Sequence, residues 1–282
     1  MTKEDILVGF IGQGFIGKSM ADDFEERGFN IVRYSLNKFS QNKEKIKECD
    51  FVFIAVPTPS TPSGFDDSIL ADVLSLVGDS KVAIIKSTIK VGTTEKFQKM
   101  YPNKYIIHSP EFLTEKNAAM DAKHPPRNIV GYSIKAQKRA KEVLELLPKA
   151  KYELIVRSQE AELIKYMGNC FLYLKVVYAN MVHNLCEKKG IDYNIVSEAV
   201  GHDERIGHSH LKIKHQSGLS KKAGRGAGGN CFIKDMAAFV EMFEEEGLDL
   251  EFLNSTVEFN NKLLIDSRKD IDLLKQVYGD LN

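Results

Sequence analysis

The stretch DILVGFIGQGFIGKSMADDFEERGFNIVRYS, residues 5–35, constrains the fold more than any other part of the chain. A short apolar run (5–10) enters GQGFIG, where Gly12, Gly14 and Gly17 are spaced as GxGxxG. KSMADDFEERGF follows at helical period, and NIVRYS (30–35) reads as a second strand. Strand, glycine turn, helix and strand together make the first βαβ unit of a doubly wound sheet. Each glycine has a physical task. Gly12 permits the tight turn, Gly14 lets a pyrophosphate approach the backbone, and Gly17 lets helix and strand pack closely. The helix N-terminus then offers unpaired N–H groups and partial positive charge to phosphate. Gly12, Gly14, Phe15, Ile16 and Gly17 are therefore expected along a dinucleotide.

An acidic residue normally ends the second strand of such a unit and binds the adenosine ribose. Here the strand ends Tyr34-Ser35-Leu36-Asn37-Lys38, so Ser35 takes that place, with Arg33 and Lys38 nearby. NAD is the expected cofactor, and the two cations leave NADP open.

Strand-like runs continue at 49–57, 81–88, 104–112, 128–133 and 151–156. In a doubly wound sheet, ligands bind beyond the carboxyl ends of the strands. The loops beginning at Pro57, Thr88 and Glu111 are expected to face one cleft, with Val56, Pro57, Thr58 and Thr88 along the cofactor. Taken singly, Thr88 also reads as a helix N-cap before VGTTEKFQ, and Glu111 and Glu115 as solvated carboxylates.

From Ser158 the pattern becomes helical. Ser158 reads as an N-cap and Gly190 as a stop, bounding a helix of unusual length at 158–189. Its apolar residues extend around much of the circumference, which calls for cover on several sides, a second subunit included. Lys165 and Asn169 stand one turn apart on it. Asp192 caps a helix at 193–200, and GHDERIG follows. After the basic, glycine-rich stretch 212–229 come an amphipathic helix ending at Gly247 and a last helical segment at 250–276. The boundary expected between an α/β domain (1–157) and an all-α domain (158–282) falls near Arg157.

Lys plus Arg balances Asp plus Glu at 39 each, so no net field favours nucleic acid or an anionic membrane. The N-terminus lacks the layout of a signal peptide and no apolar run spans a bilayer, so a cytoplasmic protein is expected. The four cysteines show no CxxC and no His/Cys cluster at ligand spacing, and no metal is expected.

One cysteine stands apart. In GRGAGGNCFIKD (224–235), Cys231 falls near a helix N-terminus, which favours the nucleophilic thiolate, and Asp235 lies one turn further on. Arg225 and Lys234 are candidate opposing charges. A buried structural cysteine beside a solvated aspartate reads equally well from these residues alone.

GQGFIG, FIAVPTP, KSTIKVGTT, SPEFLTEKNAAMDAKHPPRNIVGY, EAELIKYMGN, DERIG and GAGGNCFIKD occur here in the order seen in the UDP-glucose and GDP-mannose 6-dehydrogenases, which the chain resembles over nearly all of residues 5–240. The resemblance implies a Rossmann-type doubly wound parallel sheet followed by a helical domain like that of 6-phosphogluconate dehydrogenase. It implies NAD-dependent, four-electron oxidation of a nucleotide sugar, UDP-glucose first, to the uronic acid. Cys231 would attack the intermediate aldehyde, Lys165 and Asn169 would stabilise the oxyanion, and Asp235 with Thr88 would position water. Glu111 and Glu115 match the family's acidic pair. Glu111, Phe112, Leu113, Lys165, Asn169, Arg205 and Gly228 would meet the sugar nucleotide, with Arg205 reaching the neighbouring subunit of a homodimer built on the 158–189 helix. Family members carry a further C-terminal domain for the substrate nucleotide, and this sequence stops after the helical domain. Two other readings stay open: a two-electron dehydrogenase of the β-hydroxyacid or 6-phosphogluconate kind, which shares a Lys-x-x-x-Asn pair, and a non-catalytic dinucleotide-binding relative.

Overall fold

The computed structural model describes residues 3–217 and 222–280, so part of the glycine-rich stretch, 218–221, lies outside the described residues. The chain divides into two compact units, Met1–Pro59 with Asp66–Lys165, and Ser60–Phe65 with Tyr166–Asn282.

The first unit alternates strands and helices: β1 (Leu7–Ile11), α1 (Phe15–Glu26), β2 (Asn30–Tyr34) and β3 (Phe51–Ile54). The chain leaves this unit for β4 (Ser60–Thr61) and β5 (Gly64–Phe65). It returns with α2 (Ser68–Ser75), β6 (Val82–Ile85), α3 (Thr93–Met100), β7 (Tyr105–His108), α4 (Ala118–Lys123), β8 (Arg127–Tyr132), α5 (Ala140–Leu146) and β9 (Tyr152–Arg157). Seven strands form one sheet in the order β2-β1-β3-β6-β7-β8-β9. Every residue of β3 and β6 is buried, because helices cover both faces of a parallel sheet. Phe10 stacks on Phe53 at 5.4 Å and meets Phe24 of α1 edge-on at 5.3 Å, fixing the first helix to the sheet.

The sheet is not parallel throughout. β2, β1, β3, β6 and β7 run together, whereas β8 pairs antiparallel with β7 and parallel with β9. Between β7 and β8 the chain forms the six-residue α4 and a loop. A 3-10 turn at Glu115–Asn117 precedes that helix, and the strand that follows comes back antiparallel to β7.

The second unit holds most of α6 (Ser158–Lys189), then α7 (Tyr193–Gly201), α8 (Gly229–Glu245), α9 (Glu251–Ser267) and α10 (Ile271–Tyr278), with the β4–β5 ribbon inside the segment expected to be a proline-rich loop. Tyr166, Tyr173, Val176, Met236 and Leu253 form its core. Ser158 does not cap α6. Its Oγ is buried without a hydrogen-bond partner, because β9 runs straight into the helix. Asp192 does cap α7, its carboxylate accepting from Asn194 N. Along α6, Leu163, Met167, Phe171, Tyr178, Met181 and Leu185 are all exposed, and their spacing places them in one stripe.

The last helical segment is two helices. Arg268 and Asp270 take φ of 51° and 54°, in the left-handed region, and break the chain between α9 and α10. The corner has a purpose in packing. Lys269 is wholly buried and its Nζ donates to Gly226 O at 2.9 Å, while Asp270 Oδ2 accepts from Gly229 N at 2.8 Å and Ser217 Oγ at 2.5 Å.

Candidate active site

At the carboxyl ends of the parallel strands, Ile11, Ile54, Ile85 and His108 stand in register, and the loops leave at one level. Gly12 has φ +90°, and a Cβ there would lie 2.1 Å from Ala55 O; one on Gly17 would lie 1.9 Å from Gly12 O. Gly14, which caps α1, has nothing within 4 Å of a built Cβ. Two glycines are thus demanded by packing, and the middle one faces open space, as a pyrophosphate seat requires. Phe15, exposed, and Ile16, half-buried on the core, begin α1.

Ser35 folds into a local turn, donating from Oγ to Lys38 O and accepting from Lys38 N. Arg33 pairs with Asp22 at 2.7 Å and Glu25 at 2.8 Å. Its guanidinium is thus engaged by α1. Next along the edge, Ser87 Oγ donates to Val56 O and accepts from Val56 N, and Thr58 Oγ1 donates to Thr88 O at 2.7 Å. Pro57 is held between these bonds. Thr88 is not the cap of α3. That task falls to Glu162 from the first turns of α6, fully buried, whose carboxylate accepts from Gly92 N, Thr94 N and Thr94 Oγ1. Burial pushes the Glu162 carboxyl up to about 7, against the pull of those donors.

The PEFL loop is built around a buried lysine. Lys86, only 5% exposed, places Nζ 3.1 Å from Glu111 Oε2 and 3.2 Å from Ser109 Oγ. Glu111 Oε1 accepts from Phe112 N and Leu113 N. Both carboxylate oxygens are therefore committed to shaping the loop. The main-chain oxygen of Glu111 in turn accepts from Lys165 Nζ at 2.6 Å. Phe112 lies under the Arg127 guanidinium at 3.8 Å and near Lys165 Nζ at 5.4 Å. Glu115 stands apart, exposed on a 3-10 turn, so the two glutamates do not form a pair. His108 is fully buried with Nδ1 3.0 Å from Ile85 O. Burial, with the Lys86 and Lys165 charges, pushes it down to about 3, which leaves it neutral.

In the second unit Cys231 is exposed, in the first turn of α8, while Cys49, Cys170 and Cys186 are buried. Burial pushes the Cys49 thiol up to about 12 and raises that of Cys170 as well. Asp235, one turn beyond Cys231, is buried. Its Oδ2 accepts from Asn169 Nδ2 at 2.6 Å and its Oδ1 from Lys234 Nζ at 2.5 Å. Lys165 and Asn169 follow each other by one turn on α6. Arg225 does not face the thiol: its guanidinium donates to Asn180 Oδ1, Asn180 O and Asn184 Oδ1 on α6. Gly228 caps α8, and a Cβ there would lie 2.2 Å from Asp270 Oδ2. The glycines of this loop thus serve close packing on the Lys269–Asp270 corner, which local sequence did not reveal. Arg205 is exposed and forms a two-point ion pair with Asp203 in its own turn.

Motif spacing in cysteine and histidine passes over one further group. Glu198, His202 and His208 each offer a ligand atom, and those atoms lie within 4.8 Å of one another. The i, i+4 spacing of Glu198 and His202 was the available signal.

A glycine turn at the edge of parallel strands, in a sheet followed by a helical unit, defines a Rossmann-type dinucleotide-binding fold. More particularly, the chain belongs to the UDP-glucose/GDP-mannose dehydrogenase family: its NAD-binding domain matches residues 33–147 and its central domain residues 159–262. The UDP-glucose 6-dehydrogenase TuaD of Bacillus subtilis is 30% identical over 247 residues, covering 83% of this chain and 51% of that protein. That of Rhizobium meliloti is also 30% identical, with 82% and 54% covered. The chain spans about half the length of the curated relatives it matches. Among solved structures, a UDP-glucose dehydrogenase from Pyrobaculum islandicum superposes with TM-score 0.80 at 26% identity, covering 98% of this chain and 72% of that one. A 3-hydroxyisobutyrate dehydrogenase of Mycobacterium tuberculosis shares the fold at TM-score 0.70 and 16% identity, covering 97% of this chain and 98% of that one. No helix among the described residues is long and apolar enough to cross a membrane.

Proposed function

We propose that this chain oxidises the terminal CH2OH of a nucleotide sugar, UDP-glucose first, to the carboxylate in two two-electron steps. The observation that carries this reading is Cys231: the one exposed cysteine, in the first turn of α8, a helical turn before an aspartate that is buried and bonded to Asn169. A single alcohol oxidation has no use for a nucleophile there.

NAD bound at the glycine turn supplies the hydride acceptor for each oxidation. The chain's own residues do the rest. An aldehyde carries hydrogen that cannot depart as hydride until a nucleophile has added to carbon. The Cys231 sulfur makes that bond, giving a thiohemiacetal oxyanion that the Lys165 ammonium and the Asn169 amide stabilise. The second oxidation leaves a thioester. Water positioned by Asp235 adds to its carbonyl, the C–S bond breaks, the thiolate departs, and the carboxylic acid ionises. The committed carboxylate of Glu111 makes it the holder of the Lys165-anchoring loop, with Phe112 and Leu113 lining the sugar side. Gly228, packed against Asp270, sets the start of the helix that carries the thiol, and Arg205 serves the neighbouring subunit of a homodimer whose contact is the exposed stripe of α6.

The stripe supports the dimer because six large apolar side chains on one face otherwise stay in water. Counting NADH formed per sugar consumed tests the reading. A one-oxidation enzyme of the β-hydroxyacid kind draws support from the shared fold of 3-hydroxyisobutyrate dehydrogenase, but it leaves Cys231 and its aspartate without a task.

A further inference from the structure

Outside the residues used above, the structure gathers a second chemically distinct group on α7 and the turn behind it. Glu198 and His202 are four residues apart on one helix face, with His202 Nε2 3.3 Å from Glu198 Oε1. The chain then folds back: Ile206 N and Gly207 N both donate to Asp203 O at 2.8 Å, and Gly207 takes φ +66°. This return brings His208 Nδ1 to 3.7 Å from Glu198 Oε2, and the two imidazoles meet edge-on with centroids 4.8 Å apart. The seat for the second ring is made by Gly201. A Cβ there would lie 2.3 Å from His208 Nδ1, so any other residue would push the ring away.

We infer that Glu198, His202 and His208 form a binding site for a divalent transition cation of the zinc, cobalt and nickel group. Two imidazoles and one carboxylate are the ligand set that such ions take, with a fourth position left for water. Bonds of about 2.0–2.1 Å place neighbouring ligand atoms of a tetrahedral ion roughly 3.3 Å apart. The three atoms here already lie within 4.8 Å of one another, and the side chains are exposed, so the remaining closure of about 1.5 Å needs only rotamer adjustment. The ion would tie α7 to the far end of the 203–207 turn. Between its two histidine ligands that turn presents Arg205, whose side chain is 88% exposed. Occupancy would therefore immobilise Arg205 without touching it.

The test is titration of the purified, metal-free chain with Co(II) alone, read by the visible absorption of the four-coordinate ion. Expected is one Co(II) per chain, displaced by Zn(II), with binding at least roughly ten-fold weaker in His202→Ala and in His208→Ala. Glu198→Gln, which keeps shape and helix propensity, should weaken it too. Cys231→Ser should bind as wild type does, which keeps this result separate from the fate of the proposed oxidation. Zn(II) should also slow tryptic cleavage after Arg205 several-fold in wild type and leave the rate in His208→Ala unchanged. No cobalt spectrum in wild type, or equal binding in wild type and both histidine variants, overturns the site.

Discussion

Asn169 donates its amide to a carboxylate oxygen of Asp235 at 2.6 Å, and Asp235 is 1% exposed. An amide and a buried carboxylate thus lie one helical turn from Lys165 and one from Cys231 along their own helices. Replacing Asn169 with Asp would set two carboxylates against each other in a buried place, where like charges cannot both ionise cheaply. Asn169→Asp should therefore melt below Asn169→Ala at pH 8, by about 1–3 kcal/mol of stability. Thermal melts of the two variants check this; equal melting would contradict the contact.

Lys86 and Glu111 form a second test. Lys86→Met removes the cation and leaves a largely buried carboxylate, which costs roughly 3 kcal/mol or more. Glu111→Gln in the same chain should recover much of the loss, because no uncompensated charge remains. A double-mutant cycle from denaturant melts reads the coupling. Additive losses would show that the pair does not brace the loop.

Glu162 makes stability depend on pH in a direction unusual for a carboxyl. Its folded value is raised from 4.5 to about 7, so the fold favours the neutral form. The stabilisation is fully present below pH 4.5 and is lost as pH rises to about 7. The loss is on the order of 3 kcal/mol by linkage. Wild type should lose stability over this window relative to Glu162→Gln. Parallel stability profiles for the two proteins between pH 4.5 and 7.5 would contradict this.

The stripe on α6 predicts association. Met181→Lys together with Leu185→Lys places two charges on it without disturbing a buried residue, since the two side chains are 52% and 58% exposed. Light scattering should report a dimer for wild type and a monomer for the variant, with melting still cooperative. Wild type that runs as a monomer at every accessible concentration would remove the dimer.

Much of the first unit was readable because its signals are local. The GxGxxG turn and the apolar runs of β1, β3 and β6 each act over a few residues, and each lies where its pattern put it, as does the cap at Asp192 in the second unit. The reversal of β8 was hidden because strand direction depends on the path of the connection, not on the strand's own residues. Long-range partners escaped for a similar reason. Nothing around Thr94 announces that Glu162, far along the chain, caps its helix, and nothing around Gly228 announces Asp270. Arg225 read as a partner for the cysteine from proximity in sequence, yet its guanidinium reaches α6. The roles of Lys165, Asn169, Cys231 and Asp235 came from their resemblance to a family. Local chemistry left the cysteine open between packing and reaction, and its exposure speaks only against packing.

The most direct measurement is the NADH yield. The purified chain is given limiting UDP-glucose with excess NAD, NADH is read by absorbance, and the acid is quantified at completion. Expected are two NADH and one uronic acid per sugar, with Cys231→Ala forming no acid while binding NAD with unchanged affinity. One NADH per sugar, or undiminished acid from Cys231→Ala, would contradict the thioester route.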